Sequence, residues 1–225
     1  MIYTNLEFPK LPSRPYFFTN FVQTVDGKVY VLENSKQYWP IGSEKDRETF
    51  LYLRSVSDCL VHGKNSALHY KTVDTLNKYN KSLPYFVVTN HPDQALADIL
   101  QNDHGIKPYL VVSKSVKVPE SFKDIVEIVT IGENEVNLEE FSKYLFDKGY
   151  KSALVEGGPN LVGQFLKQNL LDEVFLTIAP KLFGDKNNTL TMIEGMLLPP
   201  EDIKTLKLLS LKEYEGEIYL RYMVN

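Results

Sequence analysis

The chain has a single cysteine, Cys59, among its 225 residues. One thiol can form neither an internal disulfide nor a cysteine-based zinc cluster. Its place in the apolar run Asp58-Cys59-Leu60-Val61 marks it as a buried structural thiol. Histidine is scarce as well: His62, His69, His91 and His104 show no metal-ligand spacing, so no metal is expected and they read as surface or loop residues. No basic excess exists, since 25 Lys and Arg face 29 Asp and Glu for a net charge of −4, and neither nucleic acid nor an anionic membrane surface is an expected partner. No apolar run reaches membrane-spanning length. The segment from Met1 to Pro15 carries Glu7, Lys10 and three prolines in place of a signal-peptide core, so a cytoplasmic location is expected. Repeats, low-complexity tracts and a Gly-x-Gly-x-x-Gly fingerprint are all missing, which argues against a Rossmann-type dinucleotide site.

What the chain does contain is an alternation of short β-rich runs and helical patterns, the signature of an α/β sheet. With 43% hydrophobic and 24% charged residues, it can bury a core, and one domain over 1–225, with its core at about 14–224, is the expectation. Phe17 to Val25 reads as a first strand closed by the turn Asp26-Gly27-Lys28, with Val29 to Leu32 as its continuation. Glu44 to Val56 reads as a helix capped by Ser43. Strands at 58–61, 85–88, 109–112 and 152–155 each end at Gly, Asn, Ser or Glu-Gly-Gly, and a further strand is expected over Val126 to Ile131. One helix presents Ala95, Leu96, Ile99 and Leu100, and another Leu138, Phe141 and Leu145. Beyond a helix over Asn160 to Asn169, Glu173 to Ala179, Thr205 to Glu213 and Glu217 to Val224 are extended, the last two forming a hairpin around Glu215-Gly216. The fold class is therefore α/β, a mainly parallel sheet flanked by helices with an antiparallel C-terminal edge.

Two strand tips carry candidate chemistry. Ala153-Leu154-Val155 runs into Glu156-Gly157-Gly158-Pro159 and then a helix with Leu161, Phe165 and Leu166. Paired glycines allow close backbone approach, and a helix N-terminus offers free N–H groups to a phosphate. A purely structural turn uses the same residues. Gly63-Lys64-Asn65-Ser66 repeats the arrangement, with Ser66 readable as a plain N-cap, and two such tips in one sheet point to a shared ligand at that edge. Of four arginines, Arg47 and Arg54 lie seven residues apart on one helix; each is either a phosphate fork or a stem lying on apolar surface. His91 follows a strand end, where it can meet a cofactor phosphate or serve a cap formed by Asn90-His91-Pro92.

These residues resemble the pyrimidine reductases of riboflavin biosynthesis, which share the dihydrofolate reductase fold and use NADPH. The likeness runs from Arg14 nearly to the C-terminus. Asn20 to Lys28 is similar to the family's first strand and Asp-Gly-Lys turn, Trp39-Pro40-Ile41-Gly42-Ser43 to its Trp-Ile-Thr-Ser segment, and Leu53-Arg54 to its Leu-Arg pair. The most specific strings are Glu156-Gly157-Gly158-Pro159-Asn160-Leu161 and Thr177 to Gly184. The resemblance implies that Gly157, Gly158, Pro159, Asn160 and Leu161 cradle the NADPH pyrophosphate and that Gly63, Asn65 and Ser66 hold its other side. Thr89, Asn90 and His91 would lie near the adenosine 2′-phosphate. Asn20, Ser43, Arg54, Thr75 and Glu156 would face the substrate, with Ser43 and Arg54 on its ribose phosphate. Glu156 or Asp26 would be the polar helper in hydride transfer to a ribosyl imine carbon. A homodimer is implied in the same way.

The chain departs from the family over His69 to Asn77, where Ala-Asp-Asp-Pro-x-Leu-Thr-x-Arg is usual; the arginine position is Asn77, with Lys71 and Lys78 nearby to supply charge. The deaminase signatures His-x-Glu and Pro-Cys-x-x-Cys are absent. Three functions follow: a phosphoribosylamino-pyrimidine reductase, an NADPH reductase of another heterocycle such as a pterin or dihydrofolate, and a nucleotide-binding module without catalysis.

Overall fold

A computed structural model describes residues 1–31, 41–70, 83–101, 106–185 and 187–225, and among them the chain forms eleven strands and five α-helices. In chain order these are β1 (Tyr16–Thr24), β2 (Tyr30–Val31), α1 (Glu44–Val56), β3 (Cys59–Gly63), α2 (Lys64–Tyr70), β4 (Tyr85–Val88), α3 (Gln94–Leu100), β5 (Tyr109–Val112), β6 (Glu127–Thr130), α4 (Leu138–Asp147), β7 (Ser152–Val155), α5 (Pro159–Lys167), β8 (Leu171–Ala179), β9 (Thr189–Leu190), β10 (Leu206–Tyr214) and β11 (Glu217–Val224). Nine strands make one sheet in the order β10-β11-β8-β1-β7-β3-β4-β5-β6. From β8 through β6 every neighbouring pair is parallel. The hairpin of β10 and β11 joins β8 antiparallel, so the mainly parallel sheet with an antiparallel C-terminal edge is observed.

Both faces of this sheet are covered, which is why its inner strands read as unbroken apolar runs rather than alternating ones. Leu53 of α1, Ala67 of α2 and Leu96, Ala97 and Leu100 of α3 pack on one face against Phe18, Leu60, Val87 and Leu154. Phe141 and Leu145 of α4 and Val162 and Phe165 of α5 pack on the other, against Phe17, Val61, Phe86 and Val155. The N-terminal segment joins the first face, where Phe8 stacks on Phe18 with ring centroids 4.2 Å apart. Cys59 is buried, as expected.

Four local expectations are corrected. Residues 30 and 31 do not prolong β1; they pair antiparallel with β9 in a separate two-stranded sheet, because the chain reverses at Gly27, whose φ of +78° favours glycine. In α3, Ala97 rather than Ala95 turns inward: Asp93 caps the helix by accepting from Leu96 N–H, and that phase leaves Ala95 exposed. Ser66 is not an N-cap, since α2 already begins at Lys64. His62 is no surface residue, because it occupies β3 with no solvent exposure. The Ser43 cap of α1 stands: its side chain accepts from Lys45 and Asp46 N–H.

Phe18 has no solvent exposure and also meets Phe175 edge-on. Phe18→Ala is expected to destabilise the fold by about 3–5 kcal/mol, read as a lowered urea midpoint with an unchanged slope.

Candidate functional site

Register places three polar side chains in one row. Leu154 of β7 pairs with Phe18 of β1 and with Leu60 of β3. Two residues further along, Asn20, Glu156 and His62 stand level with one another. Because side chains alternate along a strand, all three share the face on which Phe18, Leu154 and Leu60 pack. β7 ends at Val155, its last tie to β1 being the Thr19 hydroxyl on the Val155 carbonyl at 2.7 Å, whereas β1 runs on to Thr24. That overhang leaves the edge of β1 open beside Glu156 and the glycine pair. Asn20 at the open end is half-buried, and its amide has no hydrogen-bond partner among the described residues.

Glu156 is held from two directions. From the last turn of α1, Arg54 donates through Nε to Oε1 at 2.8 Å and through Nη2 to Oε2 at 2.5 Å, a bidentate fork. From β3, His62 Nε2 lies 2.9 Å from Oε2, and its Nδ1 lies 3.0 Å from the Tyr85 hydroxyl. The Arg54 and Glu156 side chains are 4% and 2% exposed. Burial alone would push Glu156 up, but the Arg54 charge and its hydrogen bonds, with those of His62, hold it below the ordinary carboxylate value. Burial pushes His62 down despite the attraction of Glu156, so its imidazole is neutral at neutral pH. A carboxylate only accepts; His62 Nε2–H therefore donates to Glu156, and the Tyr85 hydroxyl donates to the bare Nδ1.

The two glycine turns meet. β3 and β7 are parallel neighbours, and a carbon added at Gly63 would lie 4.0 Å from the Gly158 nitrogen and 3.8 Å from Leu161 Cβ, while one at Gly158 would touch Ser66 Oγ at 3.4 Å. At Gly157 an added carbon would lie 2.9 Å from Leu161 Cβ, a true clash. Pro159 opens α5 and no side chain caps it. Among the described residues, the N–H groups of Gly157 and Gly158 have no acceptor. Adjacent free donors at a helix start, with no carbon in the way, suit a diphosphate.

Other candidates are placed differently. Asp26 accepts from the Thr24 hydroxyl at 2.6 Å and from the N–H groups of Phe183 and Gly184. Those bonds, Thr24 first, hold its carboxyl down at about 2. It thus serves as an acceptor that fixes the turn. The Ser43 hydroxyl donates to Glu217 at 2.6 Å. Arg54 lies eleven positions after Ser43, about 16 Å of helix rise, and it gives its Nε and Nη2 to Glu156. Thr89, Asn90 and His91 follow β4 along the same sheet edge, beside an open cavity of about 720 Å³. There Thr89 accepts from His91 N–H, Asn90 binds Ser113 N–H and the Asn134 carbonyl, and Lys64 reaches the His91 carbonyl and Asp93. Asn65 is exposed in α2, and Asn160 is exposed beside Gly195. Thr75, Lys71, Asn77 and Lys78 lie outside the described residues.

Sequence reading missed His62 and Tyr85. The parity of β3 carried the signal, for His62 shares the inward face with Leu60 one step before the glycine. It missed Asp46 too, a buried carboxyl that burial pushes up to about 6, against a Thr177 hydrogen bond and with help from the Glu217 charge.

The model of the RibD C-terminal domain family matches residues 15–220. The 2,5-diamino-6-ribosylamino-4(3H)-pyrimidinone 5′-phosphate reductase of Archaeoglobus fulgidus is 28% identical over 196 residues, covering 81% of this chain and 87% of that one. Among solved structures, Acinetobacter baumannii RibD superposes with a TM-score of 0.74 at 18% identity, covering 95% of this chain but 59% of RibD. Schistosoma mansoni dihydrofolate reductase superposes at 0.50 and 13% identity, covering 95% and 100%. The dihydrofolate-reductase-like fold is shared.

Arg54→Met strands a buried carboxylate and is expected to cost about 3–5 kcal/mol in urea unfolding. His62 and Asp46 give opposite pH slopes. With its pKa depressed below 6.5, His62 leaves more protons on the unfolded chain below that pH, so its contribution falls as pH drops. Asp46, raised from 3.8 to about 6, gives stability present in acid and lost as pH rises through about 6. Between these limits Asp46→Asn should lose stability toward acid, whereas His62→Gln should lose it toward neutrality; parallel profiles for the two variants would show the assignments wrong.

Proposed function

The chain belongs to the RibD C-terminal domain family, and from that membership we propose that it is an NADPH-dependent reductase acting on a phosphoribosylamino-pyrimidine in riboflavin biosynthesis, turning the ribosyl group into an open ribityl chain. The observation that carries this reading is the meeting of two glycine-bearing strand tips beside the row of Asn20 and Glu156. The Archaeoglobus relative carries the name of that reaction. This chain spans 59% of the Acinetobacter RibD, so only the reductase half of such a protein is proposed for it.

Bound NADPH supplies the hydride. Gly157, Gly158, Pro159, Asn160 and Leu161 hold its diphosphate from the α5 side, and Gly63, Asn65 and Ser66 from the α2 side. The cavity along Thr89, Asn90 and His91 takes the adenosine end, where Lys117, with Lys64 already paired to Asp93, favours a 2′-phosphate and hence NADPH over NADH. Asn20 offers both a donor and an acceptor to the pyrimidine at the open edge of β1. Glu156 is ionised and fixed, so it accepts from substrate N–H or O–H groups and stabilises positive charge at the imine carbon. Arg54 acts through Glu156.

Homodimer formation belongs to the same proposal. β10 is the sheet edge, with Leu206, Leu208, Leu209 and Leu211 exposed along it; a second copy would cover both its backbone and its leucines. No described helix is long and apolar enough to cross a membrane, and a cytoplasmic location is proposed with the function.

Purified protein is expected to oxidise NADPH when given 2,5-diamino-6-ribosylamino-4(3H)-pyrimidinone 5′-phosphate or its deaminated form; no turnover of either rejects the reading, and turnover of dihydrofolate alone favours a pterin reductase. Gly157→Ala should weaken NADPH binding roughly tenfold or more through the Leu161 clash, measured by calorimetry. Leu209→Asp with Leu211→Asp should convert a sedimenting dimer into a monomer. An intact dimer would move the interface elsewhere.

A further inference from the structure

Glu156 has two supports, and one of them has no evident need to be a histidine. Arg54 alone neutralises the carboxylate and satisfies both its oxygens. His62 adds a third bond from the side of the row away from Asn20, and it is buried without exposure one residue before the glycine of β3. A buried imidazole that only filled space would cost desolvation that a leucine at this position avoids. Its surroundings are specific instead: among the described residues, Glu156 after β7, Arg54 from α1 and Tyr85 from β4 are ionisable groups that face it. Tyr85 lies on the same ring at 90° and 5.1 Å between centroids, with its hydroxyl on Nδ1. That hydroxyl fixes which nitrogen carries hydrogen, and the hydrogen then points at Oε2 of Glu156.

Resting on the reading that Glu156 faces the substrate, we infer that His62, oriented by Tyr85, is a positioning residue that fixes the rotamer of the Glu156 carboxylate beside the reacting carbon. Arg54 approaches from α1 and grips both oxygens through a long side chain whose root lies on a different element from Glu156. His62 is carried by a central strand and anchors Oε2 from within the sheet. With Oε2 taken by Arg54 and His62, Oε1, which among the described residues receives Arg54 Nε alone, keeps a lone pair for substrate at the Asn20 end of the row.

Two substitutions of similar polarity separate positioning from mere support. Glutamine carries its amide nitrogen near the place of Nε2 and reaches Glu156; asparagine carries it near the place of Nδ1 and does not. The His62→Gln variant should keep kcat within about threefold of the parent, and His62→Asn should lose about tenfold to a hundredfold, with KM for NADPH unchanged in both. Equal kcat values in the two variants overturn the role. A measurement on the parent protein needs no variant: with nitrogen-15 label, His62 should show a protonated Nε2 and a bare Nδ1 at neutral pH, and the opposite tautomer overturns the role as well. If the parent, with NADPH bound, turns over neither pyrimidine, the functional reading falls and takes this role with it, whereas turnover with indistinguishable variants removes the role alone.

Discussion

A carboxylate buried at the end of a central strand sets the terms for the rest of this molecule. Charge in such a place is tolerated only when it is paired and hydrogen-bonded, and Glu156 meets that condition by drawing Arg54 down from α1. The other end of the same helix is tied in a similar manner. Ser43 gives both its N–H and its hydroxyl to Glu217 of β11, and Tyr219 donates to that carboxylate at 2.5 Å. A helix of thirteen residues is thus fastened across the sheet by one acidic residue at each end. Apolar packing, through Leu53 alone at full burial, would not fix its direction so closely, because hydrophobic contact is not directional.

The cleft follows from unequal strand lengths. β1 has nine residues and β7 four, so β1 passes the tip of β7 and exposes a backbone edge next to the glycine pair. An overhanging strand needs support at its far end, and Asp26 supplies it by binding two N–H groups of the loop after β8, while Val25 N–H reaches the Lys181 carbonyl. The strings Asp26-Gly27-Lys28 and Thr177 to Gly184 are therefore two halves of one brace. Their chemistry is structural, and what they protect is the position of Asn20.

Much of this was legible in the sequence. Strand and helix order, the Ser43 cap, the C-terminal hairpin and the pairing of two glycine tips on one edge all came from local pattern, because a parallel sheet makes its tips neighbours whenever its strands are neighbours. The pairing of Arg54 with Glu156 was not legible: both residues were read as facing ligand, and only the register of β7 against β1 and β3, together with the phase of α1, shows that they face each other. The partner loop of Asp26 was hidden for a related reason. A carboxylate in a turn looks available until the partner loop, more than 150 residues away in sequence, is brought to it. His62 was passed over because the strand was ended at Val61 and the histidine assigned to the turn after it; only the extension of β3 to Gly63 gives it the inward parity of Leu60.

The alternation that builds the core also builds the site. Along three neighbouring strands, the inward positions hold Phe18, Leu154 and Leu60, and the next inward positions hold Asn20, Glu156 and His62. The second row lies one pleat closer to the strand tips, with Glu156 just past the end of β7, where the sheet stops being dry on all sides. A polar row there inherits the rigidity of the apolar row beneath it, since each of its members is fixed to a strand whose preceding inward residue is close-packed. Precision at a reactive centre needs that rigidity more than it needs any single contact. A parallel sheet can therefore pass from core to site within two residues, and the glycines follow directly because the next position must admit a ligand where a side chain would stand.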